Sequence, residues 1–442
     1  MTQDHYTPVD VARALARHAP RHLGSVLEPA VGSGILLQPL LKRLRASATT
    51  VVCVDQDPRA LASLGKNTPL TVSNLEVICE DFLSWSKKKN SKARQFDCVL
   101  MNPPFAGKRS DFVELIYQVD STKAKETIRR VPIEIAFVAT AVKFLKPGGR
   151  LLAILPTSVI AARSSRWLRE YLLKNGWVKY VHELPPFTFK KVSARTYLFV
   201  FEKYQKQRTL ILMNHDLRKP ERLKVDGNKL APDFRFDYGY NLALSTLRRL
   251  RDKKDIKWTP LGDVASILRG EIDSPVGAQS AFHTTNYCNG FWTESARKDQ
   301  LIRSVTEPGI RANDLLVQRV GRNCSKTVGA IANAEGYAAS DCLMIIRPRK
   351  SEDRERLLFA LRVMLAGDIG SNFLESGAGA SYLTAAQLVE IQIPINLDSL
   401  YPNTFLKYRF ALEERDFSEM LRLEGQARKR LFRITKKLNT LN

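Results

Sequence analysis

The first two hundred residues of this 442-residue chain alternate between short apolar runs and segments of helical periodicity. The first apolar runs cover residues 25–27, 49–54, 75–79 and 98–101. A chain that returns through a helix enters the next strand in the same direction, so the alternation predicts a mostly parallel, doubly wound sheet. The pattern continues with helices over 35–44 and 133–145, and strands over 150–155, 178–184 and 196–201. A short basic connection joins the last two strands, which predicts an antiparallel pair at the sheet edge.

The strand over 98–101 ends at Asn102-Pro103-Pro104-Phe105. Asn102 offers an amide oxygen just past the carboxyl end of a strand. The two prolines lack backbone N–H groups and make the loop rigid, so it presents carbonyl acceptors. Two converging acceptors beside the Phe105 ring suit a planar group with an NH₂, such as N6 of adenine. The alternative is an ordinary turn, since Asn-Pro is a common turn dipeptide.

The strand over 25–27 runs into a glycine-rich turn at residues 28–34. Gly32 and Gly34 let the backbone approach a ligand closely, and the start of the next helix favours a negative group. This turn suits a pyrophosphate or an amino-acid carboxylate. Asp55 closes the second strand, where its carboxylate can accept hydrogen bonds from ribose hydroxyls.

Asp81 and Phe82 close the third strand. A carboxylate at this position can accept a hydrogen bond from the adenine amino group while the neighbouring ring stacks on the base. Ligands of open α/β sheets bind at the carboxyl ends of the strands, so these residues predict one common site. Each acid taken alone also suits a helix N-cap.

The segment 5–18 opens with Tyr6-Thr7-Pro8 and continues with apolar residues at helical spacing. We expect a helix here, with Thr7 as its N-cap and Pro8 in its first turn.

Taken in order, these motifs resemble the gamma-class N6-adenine DNA methyltransferases, the modification enzymes of restriction systems. The resemblance covers about residues 5–203, roughly half of the chain. It is carried by Tyr6-Thr7-Pro8, Leu27-Glu28-Pro29-Ala30-x-Gly32-x-Gly34, Asp55, Asp81-Phe82, Asn102-Pro103-Pro104-Phe105, Lys146-Pro147-Gly148-Gly149, and Phe187 followed by Lys190-Lys191-Val192-Ser193-Ala194.

The resemblance implies a Rossmann-like methyltransferase domain over residues 1–245 that uses S-adenosyl-L-methionine. It implies that the methionine end of this cofactor is held by Thr7 and by Glu28, Pro29, Ala30, Gly32 and Gly34 of the turn. Asp55 would bind the ribose, and Asp81 and Phe82 the adenine ring. Asn102 would lie against both the cofactor and the target base.

The resemblance also implies how the target base is held. Asn102 and the Pro103 carbonyl would grip N6, with Pro104 in the same catalytic loop, and Phe105 would stack on the extruded base. Phe187 would be a second aromatic contact, although Phe189 could serve instead.

From about Leu247, strands and helices no longer alternate in the sequence pattern. A charged linker is followed by short strands and glycine-rich turns, which predict a mostly β domain over 256–398. The C-terminal region over 399–442 follows, and within it a basic helix is predicted over 406–441. Segments 260–264, 310–316, 339–341 and 388–394 resemble the target-recognition domain of type I restriction specificity subunits. That resemblance implies a role in reading DNA.

The composition of the chain indicates which kind of partner the protein binds. A formal charge of +24, with a pI near 9.8, indicates a polyanionic partner, and double-stranded DNA is the leading one. The cysteines lack CxxC pairs and the histidines lack metal-ligand spacing, so we expect a cytoplasmic protein with free thiols and no metal. No apolar run approaches twenty residues, so no membrane span is expected.

These inferences predict a site-specific methyltransferase that modifies adenine N6 in duplex DNA by base flipping, with a cognate restriction endonuclease as partner. The main alternative is an N6-adenine or N2-guanine methyltransferase that acts on structured RNA. A third is a DNA-binding subunit that has lost catalysis, against which the intact Asn102 and Glu28 argue.

Overall fold

The computed structural model describes residues 7–46, 49–67, 72, 74–88, 93–107, 111–118, 126–185, 188–189, 195–206, 208–227, 230, 234–270, 281–293, 309–321, 324–331, 338–367, 370, 372 and 382–436. The chain forms two compact units, Met1–Tyr238 and Gly239–Asn442. Within the described residues, no helix is both long and apolar enough to cross a membrane.

The first unit is built on a large sheet, which has nine strands among the described residues. Its strands are β1 (Ser25–Pro29), β2 (Thr50–Asp55), β3 (Asn74–Cys79), β4 (Phe96–Met101), β7 (Leu145–Pro156), β8 (Gly176–Glu183), β9 (Thr196–Lys203), β10 (Thr209–Met213) and β11 (Arg222–Asp226). A separate hairpin consists of β5 (Phe112–Gln118) and β6 (Glu126–Pro132). The helices are α1 (Val9–Ala16), α2 (Leu41–Ala46), α3 (Pro58–Asn67), α4 (Phe82–Trp85), α5 (Ile133–Lys143), α6 (Thr157–Ile160) and α7 (Arg166–Asn175).

The strand order is β11-β10-β8-β9-β7-β4-β1-β2-β3. Strands β3, β2, β1, β4 and β7 are parallel, and β9 runs antiparallel to both of its neighbours. The chain therefore winds outward from β1 in one direction and from β4 in the other. Ligands bind at such a switch point, so the topology places a crevice at the carboxyl ends of β1 and β4. The predicted α/β fold with a mostly parallel sheet is confirmed.

Two local predictions for this unit are wrong. The β8–β9 pair is antiparallel, but it is not the sheet edge, because the unpredicted strands β10 and β11 lie beyond β8. The helix expected over 35–44 starts instead with a 3₁₀ turn at Gln38–Leu40. Pro39 lacks an N–H and is tolerated in a first turn but not in a helix interior, so it delays the helix.

The second unit contains a sheet of order β13-β20-β17-β18-β16-β15. Its strands are β12 (Trp258–Pro260), β13 (Ala265–Arg269), β14 (Ala281–Phe282), β15 (Tyr287–Cys288), β16 (Phe291–Trp292), β17 (Leu315–Gln318), β18 (Gly329–Ile331), β19 (Ala338–Ala339), β20 (Leu343–Pro348) and β21 (Gln392–Pro394). Its helices are α8 (Tyr238–Arg251), which begins at the unit boundary, α9 (Leu261–Val264), α10 (Arg354–Leu365), α11 (Ala385–Glu390), α12 (Leu397–Leu400), α13 (Pro402–Glu413) and α14 (Phe417–Lys436).

The single C-terminal helix expected over 406–441 is two helices, α13 and α14. Arg415 lies between them with a φ of 57°, and the N–H of Asp416 donates to the Ala411 carbonyl at 2.8 Å. A residue in the left-handed conformation at this position ends a helix. The periodic sequence pattern runs on past Arg415, which is why a single helix was predicted. Residues 437–441 of the prediction lie outside the described residues.

Helix α14 is fastened to α10 by a buried ion pair. Arg362 and Glu424 are both about 1% exposed, and their side chains are hydrogen-bonded. Arg362 also donates to the Val328 carbonyl at 2.7 Å. Apolar residues of α14 such as Leu423 share one hydrophobic cluster with Leu315 of β17. The C-terminal helices therefore belong to the same core as the strands of this unit.

Candidate active site

The crevice at the switch point is a cleft of about 590 Å³ in the first unit. This volume lies within the roughly 300–1,000 Å³ typical of small-molecule sites. Most of the predicted site residues lie around it, namely Thr7, Glu28, Ala30, Gly32, Asp55, Asp81, Phe82, Asn102, Pro103, Pro104 and Phe105.

Asn102 follows the last residue of β4 and lines the cleft. Its Nδ2 donates a hydrogen bond to Oγ1 of Thr7 at 3.1 Å. Its Oδ1 is buried and has no hydrogen-bond partner among the described residues. The amide therefore keeps one strong acceptor on the wall of a ligand cleft.

Thr7 does not cap α1, contrary to the sequence prediction. The N-cap is Pro8, and its carbonyl accepts from the N–H of Ala12 at 3.0 Å. The Thr7 hydroxyl bonds to Asn102 instead, and the residue is 5% exposed. This partner is distant in sequence, which is why a local capping rule missed it.

The loop that follows Asn102 is held by a residue that the sequence analysis missed. The backbone N–H of Ala106 donates to Oε2 of Glu134 at 2.9 Å, and the Ser158 hydroxyl donates to Oε1 at 2.6 Å. Glu134 is 2% exposed and lies in the first turn of α5. Its only sequence signal is an acid at the start of a predicted helix, a common feature without functional meaning by itself.

Within this loop Pro103 is buried, Pro104 is exposed and Phe105 is half-buried. The Phe105 ring packs against the hydrophobic core of the first unit and also lines the cleft. It therefore has both an anchoring contact and a face available to a ligand.

Glu28 lies in β1 and is buried, and its Oε2 has no hydrogen-bond partner in the part of the chain that the structure describes. Burial, reinforced by the negative charge of Asp55, raises the pKa of the Glu28 carboxyl well above its usual range. A cationic group in the cleft would reverse this effect, because an opposite charge favours the ionised carboxylate.

Asp55 ends β2 and supports the glycine-rich turn. Its Oδ2 accepts from the N–H of Gly32 at 2.8 Å, and its Oδ1 accepts from the N–H of Asp57 at 2.9 Å. Gly32 and Gly34 have φ values of 54° and 75°. A Cβ on Gly32 would meet no atom within 4 Å, so its left-handed backbone and not crowding requires glycine.

Ala30 in the same turn also has a positive φ, of 55°. A left-handed conformation costs a residue with a Cβ roughly 1–2 kcal/mol. Pro29, just before it, is the last residue of β1. Strain of this kind is retained where surrounding bonds hold the backbone, and here the turn borders the cleft.

Asp81 and Phe82 line the cleft, but both have structural roles as well. Oδ2 of Asp81 accepts from the N–H of Ser84 at 2.7 Å and caps α4, the alternative role noted from sequence. Phe82 is 2% exposed and its ring centroid lies 5.0 Å from that of Phe137. The expected contacts of both residues with an adenine ring remain predictions.

Of the two candidate aromatic residues after β8, Phe187 lies outside the described residues. Phe189 is 4% exposed, packs in the core of the first unit and lines the cleft. Among the described residues, no group of three or more His, Cys, Asp or Glu side chains is placed to hold a metal ion.

The residues of the cleft fit the cofactor that the sequence motifs imply. Oε2 of Glu28 is a buried carboxyl oxygen without a hydrogen-bond partner among the described residues, which suits a cationic amino group. Asp55 lies at a strand end beside a glycine-rich turn, the arrangement that binds ribose hydroxyls in related α/β sites.

The doubly wound sheet, with its cleft at the switch point and an Asn-Pro-Pro-Phe loop on the cleft wall, defines a Rossmann-like methyltransferase fold. Residues 2–233 match the family model of the N-6 DNA methylases. The chain therefore belongs to the N-6 DNA methylase family.

Individual relatives are more distant. A type II methyltransferase of Thermus thermophilus, M.TthHB8I, is 28% identical over 180 residues, which are 39% of this chain and 38% of that protein. The chain thus matches well under half of this relative's length.

Among solved structures, the methyltransferase subunit of a type I restriction-modification system from Streptococcus thermophilus has 20% identity and a TM-score of 0.39, over 48% of each chain. The type IIG restriction endonuclease BpuSI has 12% identity and a TM-score of 0.47, over 97% of this chain and 66% of that one. At these TM-scores the likeness adds nothing to the functional assignment.

Proposed function

We propose that this protein is a gamma-class, site-specific methyltransferase that modifies N6 of adenine in duplex DNA with S-adenosylmethionine as methyl donor. The observation that carries the proposal is Oδ1 of Asn102, a buried acceptor on the cleft wall with no partner among the described residues. A buried polar atom left unpaired costs about 1–3 kcal/mol, so its retention points to a ligand that donates to it.

Asn102 and Pro103 would act on the nucleophile. The lone pair of adenine N6 is delocalised into the ring, which makes N6 a poor nucleophile. Oδ1 of Asn102 and the Pro103 carbonyl can accept hydrogen bonds from the two N–H groups of N6 and favour a more tetrahedral nitrogen. Such preorganised acceptors lower the barrier because their interaction strengthens toward the transition state.

The cofactor-binding residues would fix the geometry of the reaction. Glu28 suits the amino group of the methionine end and Asp55 suits the ribose, while the backbone of the turn at 28–34 is held by Asp55. S-adenosylmethionine supplies an activated methyl group on its sulfonium. Alignment of N6 with that methyl group provides much of the remaining rate enhancement.

The target base must leave the duplex to enter the cleft, at a cost of a few kcal/mol. Stacking on Phe105 would recover part of this cost. The net charge of +24 supports a polyanionic substrate. We assign DNA recognition to residues 256–398 of the second unit and expect a restriction endonuclease with the same target sequence as partner.

The test is modified-base sequencing of a randomised duplex DNA pool incubated with the protein and cofactor, with structured RNA as competitor. We expect N6-methyladenine in one sequence context, and loss of the signal in Asn102→Ala, with cofactor affinity by calorimetry changed only a few-fold. Asn175→Ala is a matched control, because this half-buried residue also makes one side-chain hydrogen bond, to the Tyr171 carbonyl at 2.8 Å. Methylation of RNA alone, or full activity of Asn102→Ala, would overturn the proposal.

A further inference from the structure

Three neighbouring strands of the second unit, β13, β20 and β17, have ends that lie together on one side of their sheet. β20 pairs antiparallel with β13 on one side and with β17 on the other. The carboxyl ends of β13 and β17 therefore lie beside the start of β20. The residues at these ends are Arg269, Arg319 and Asp341.

The three side chains form one cluster. Oδ2 of Asp341 accepts from Nη2 of Arg269 at 3.3 Å and from Nη2 of Arg319 at 3.2 Å. Nε of Arg319 also donates to the Asp341 backbone carbonyl. One carboxylate thus serves two guanidinium groups, and the cluster keeps a net positive charge.

The two arginines differ in exposure. The Arg269 side chain is 56% exposed, whereas that of Arg319 is 20% exposed. A guanidinium carries five N–H donors, and the hydrogen bond of Arg269 within the described residues uses one of its two terminal nitrogens. The guanidinium of Arg269 is therefore exposed to solvent and partly oriented by Asp341. The less exposed Arg319 binds the same carboxylate.

The Asp341 carboxylate fixes the direction of the Arg269 fork. A planar fork of fixed direction suits a planar partner that offers two acceptors. A guanidinium fork matches O6 and N7 of guanine in the major groove, the commonest specific protein–DNA contact.

We propose that Arg269, oriented by Asp341 and Arg319, reads a guanine of the target sequence in the major groove. This inference rests on the proposed function, since it assumes that duplex DNA is the substrate. A carboxylate that holds the guanidinium before binding reduces the ordering cost of the contact, which favours a rigid reader over a flexible charge.

The experiment is methylation of a randomised duplex pool by the full chain, followed by modified-base sequencing. In Arg269→Ala we expect the preference for guanine at one position to fall about tenfold or more, while the other positions keep theirs. Arg269→Lys keeps the charge but loses the fork, so it should lose the same preference. Asp341→Asn should weaken that preference and leave the rest of the recognition sequence unchanged.

The control is Arg356→Ala. Arg356 is similarly exposed, at 55%, and is also paired with a carboxylate, that of Asp398 at 3.0 Å, but it lies on α10. Its removal should leave the recognition sequence intact. Thermal unfolding of each variant checks that the unit still folds.

The remaining outcomes distinguish a failure of the proposed function from a failure of the guanine assignment. If the wild-type protein methylates no DNA, the proposed function fails. If it does and Arg269→Ala keeps the same sequence preference, only the guanine assignment fails. Uniform weakening across all sequences, with a salt dependence reduced by about one ion, would mean a phosphate contact and would also overturn it.

Discussion

Thr7 and Asn102 are separated by 95 residues in the chain and joined by a hydrogen bond of 3.1 Å from the amide nitrogen to the hydroxyl. With the nitrogen engaged in this bond, the amide oxygen is the end that has no partner among the described residues. Because Oδ1 is the acceptor that N6 chemistry needs, the segment before α1 sets the orientation of the proposed catalytic side chain.

Thr7→Val should slow methyl transfer by about three- to tenfold, because the valine has the same shape but no acceptor for the amide, and such a bond is worth roughly 0.5–1.5 kcal/mol. Single-turnover methylation at saturating cofactor measures the effect. Thr7→Ser keeps the hydroxyl and should retain most of the rate. A Thr7→Val enzyme with the wild-type rate would show that the bond does not orient Asn102.

Glu134 is expected to be a positioning residue for the loop that carries Phe105. Glu134→Ala leaves the N–H of Ala106 without its partner, so we expect both a lower melting temperature and a lower kcat. Glu134→Gln can still accept from Ala106 and should retain both properties better. Fluorescence of 2-aminopurine at the target base distinguishes the two roles, since a purely structural residue would lower stability without changing how the flipped base is held.

Phe105→Ala should slow methylation by about ten- to a hundredfold, because stacking a base on an aromatic ring is worth roughly 1–3 kcal/mol. Phe105→Tyr and Phe105→Trp keep the ring face and should keep most activity. The half-buried ring also packs on the core, so thermal unfolding must accompany the assay. A destabilised Phe105→Ala protein with an unchanged 2-aminopurine signal would assign the ring to packing alone.

Glu28 should make the cofactor-free protein less stable as pH rises. Its pKa is raised by burial, so above the ordinary glutamate value of about 4.3 the folded protein holds a proton that the unfolded chain has released. Stability therefore falls with pH through the window between the two pKa values. Glu28→Gln has no such group and should melt higher than wild type at pH 8 without cofactor.

The same variant should bind S-adenosylmethionine at least about tenfold more weakly, because an ion pair to the amino group is lost. Melting curves from pH 5 to 9, with and without cofactor, give both results. Identical pH dependence in the two proteins would contradict the assigned burial effect, and unchanged affinity would contradict the assigned contact.

Glu424→Ala should destabilise the second unit by about 3–5 kcal/mol, because it leaves the Arg362 guanidinium buried without its counter-charge. Urea denaturation followed by tryptophan fluorescence measures the change. The double variant Arg362→Met/Glu424→Leu removes both charges and should recover much of the loss. If the single variant is as stable as wild type, the pair does not fasten α14 to α10.

Several features of the fold follow from local sequence pattern. The alternation of strands and helices predicts the parallel core of the sheet, and residues such as Asp55 and Asn102 fall at strand ends because polar groups interrupt apolar runs there. Parallel winding then brings those ends together, so the position of the cleft was predictable. Strand β11 was missed because it alternates exposed and half-buried residues that carry little apolar signal. Strand β10 was also not predicted, although its apolar run over 210–213 is as long as the run over 98–101.

The partners of individual side chains were decided only by the tertiary structure. The sequence by itself placed Thr7 and Glu134 at the starts of predicted helices, and for Thr7 it favoured a helix cap. It placed Asp341 only in a segment that resembles a target-recognition domain. Their actual partners, Asn102, Ala106 and the two arginines, come from other strands and loops. Periodicity encodes which face of an element is apolar, whereas a hydrogen bond depends on which distant segments packing brings within about 3 Å.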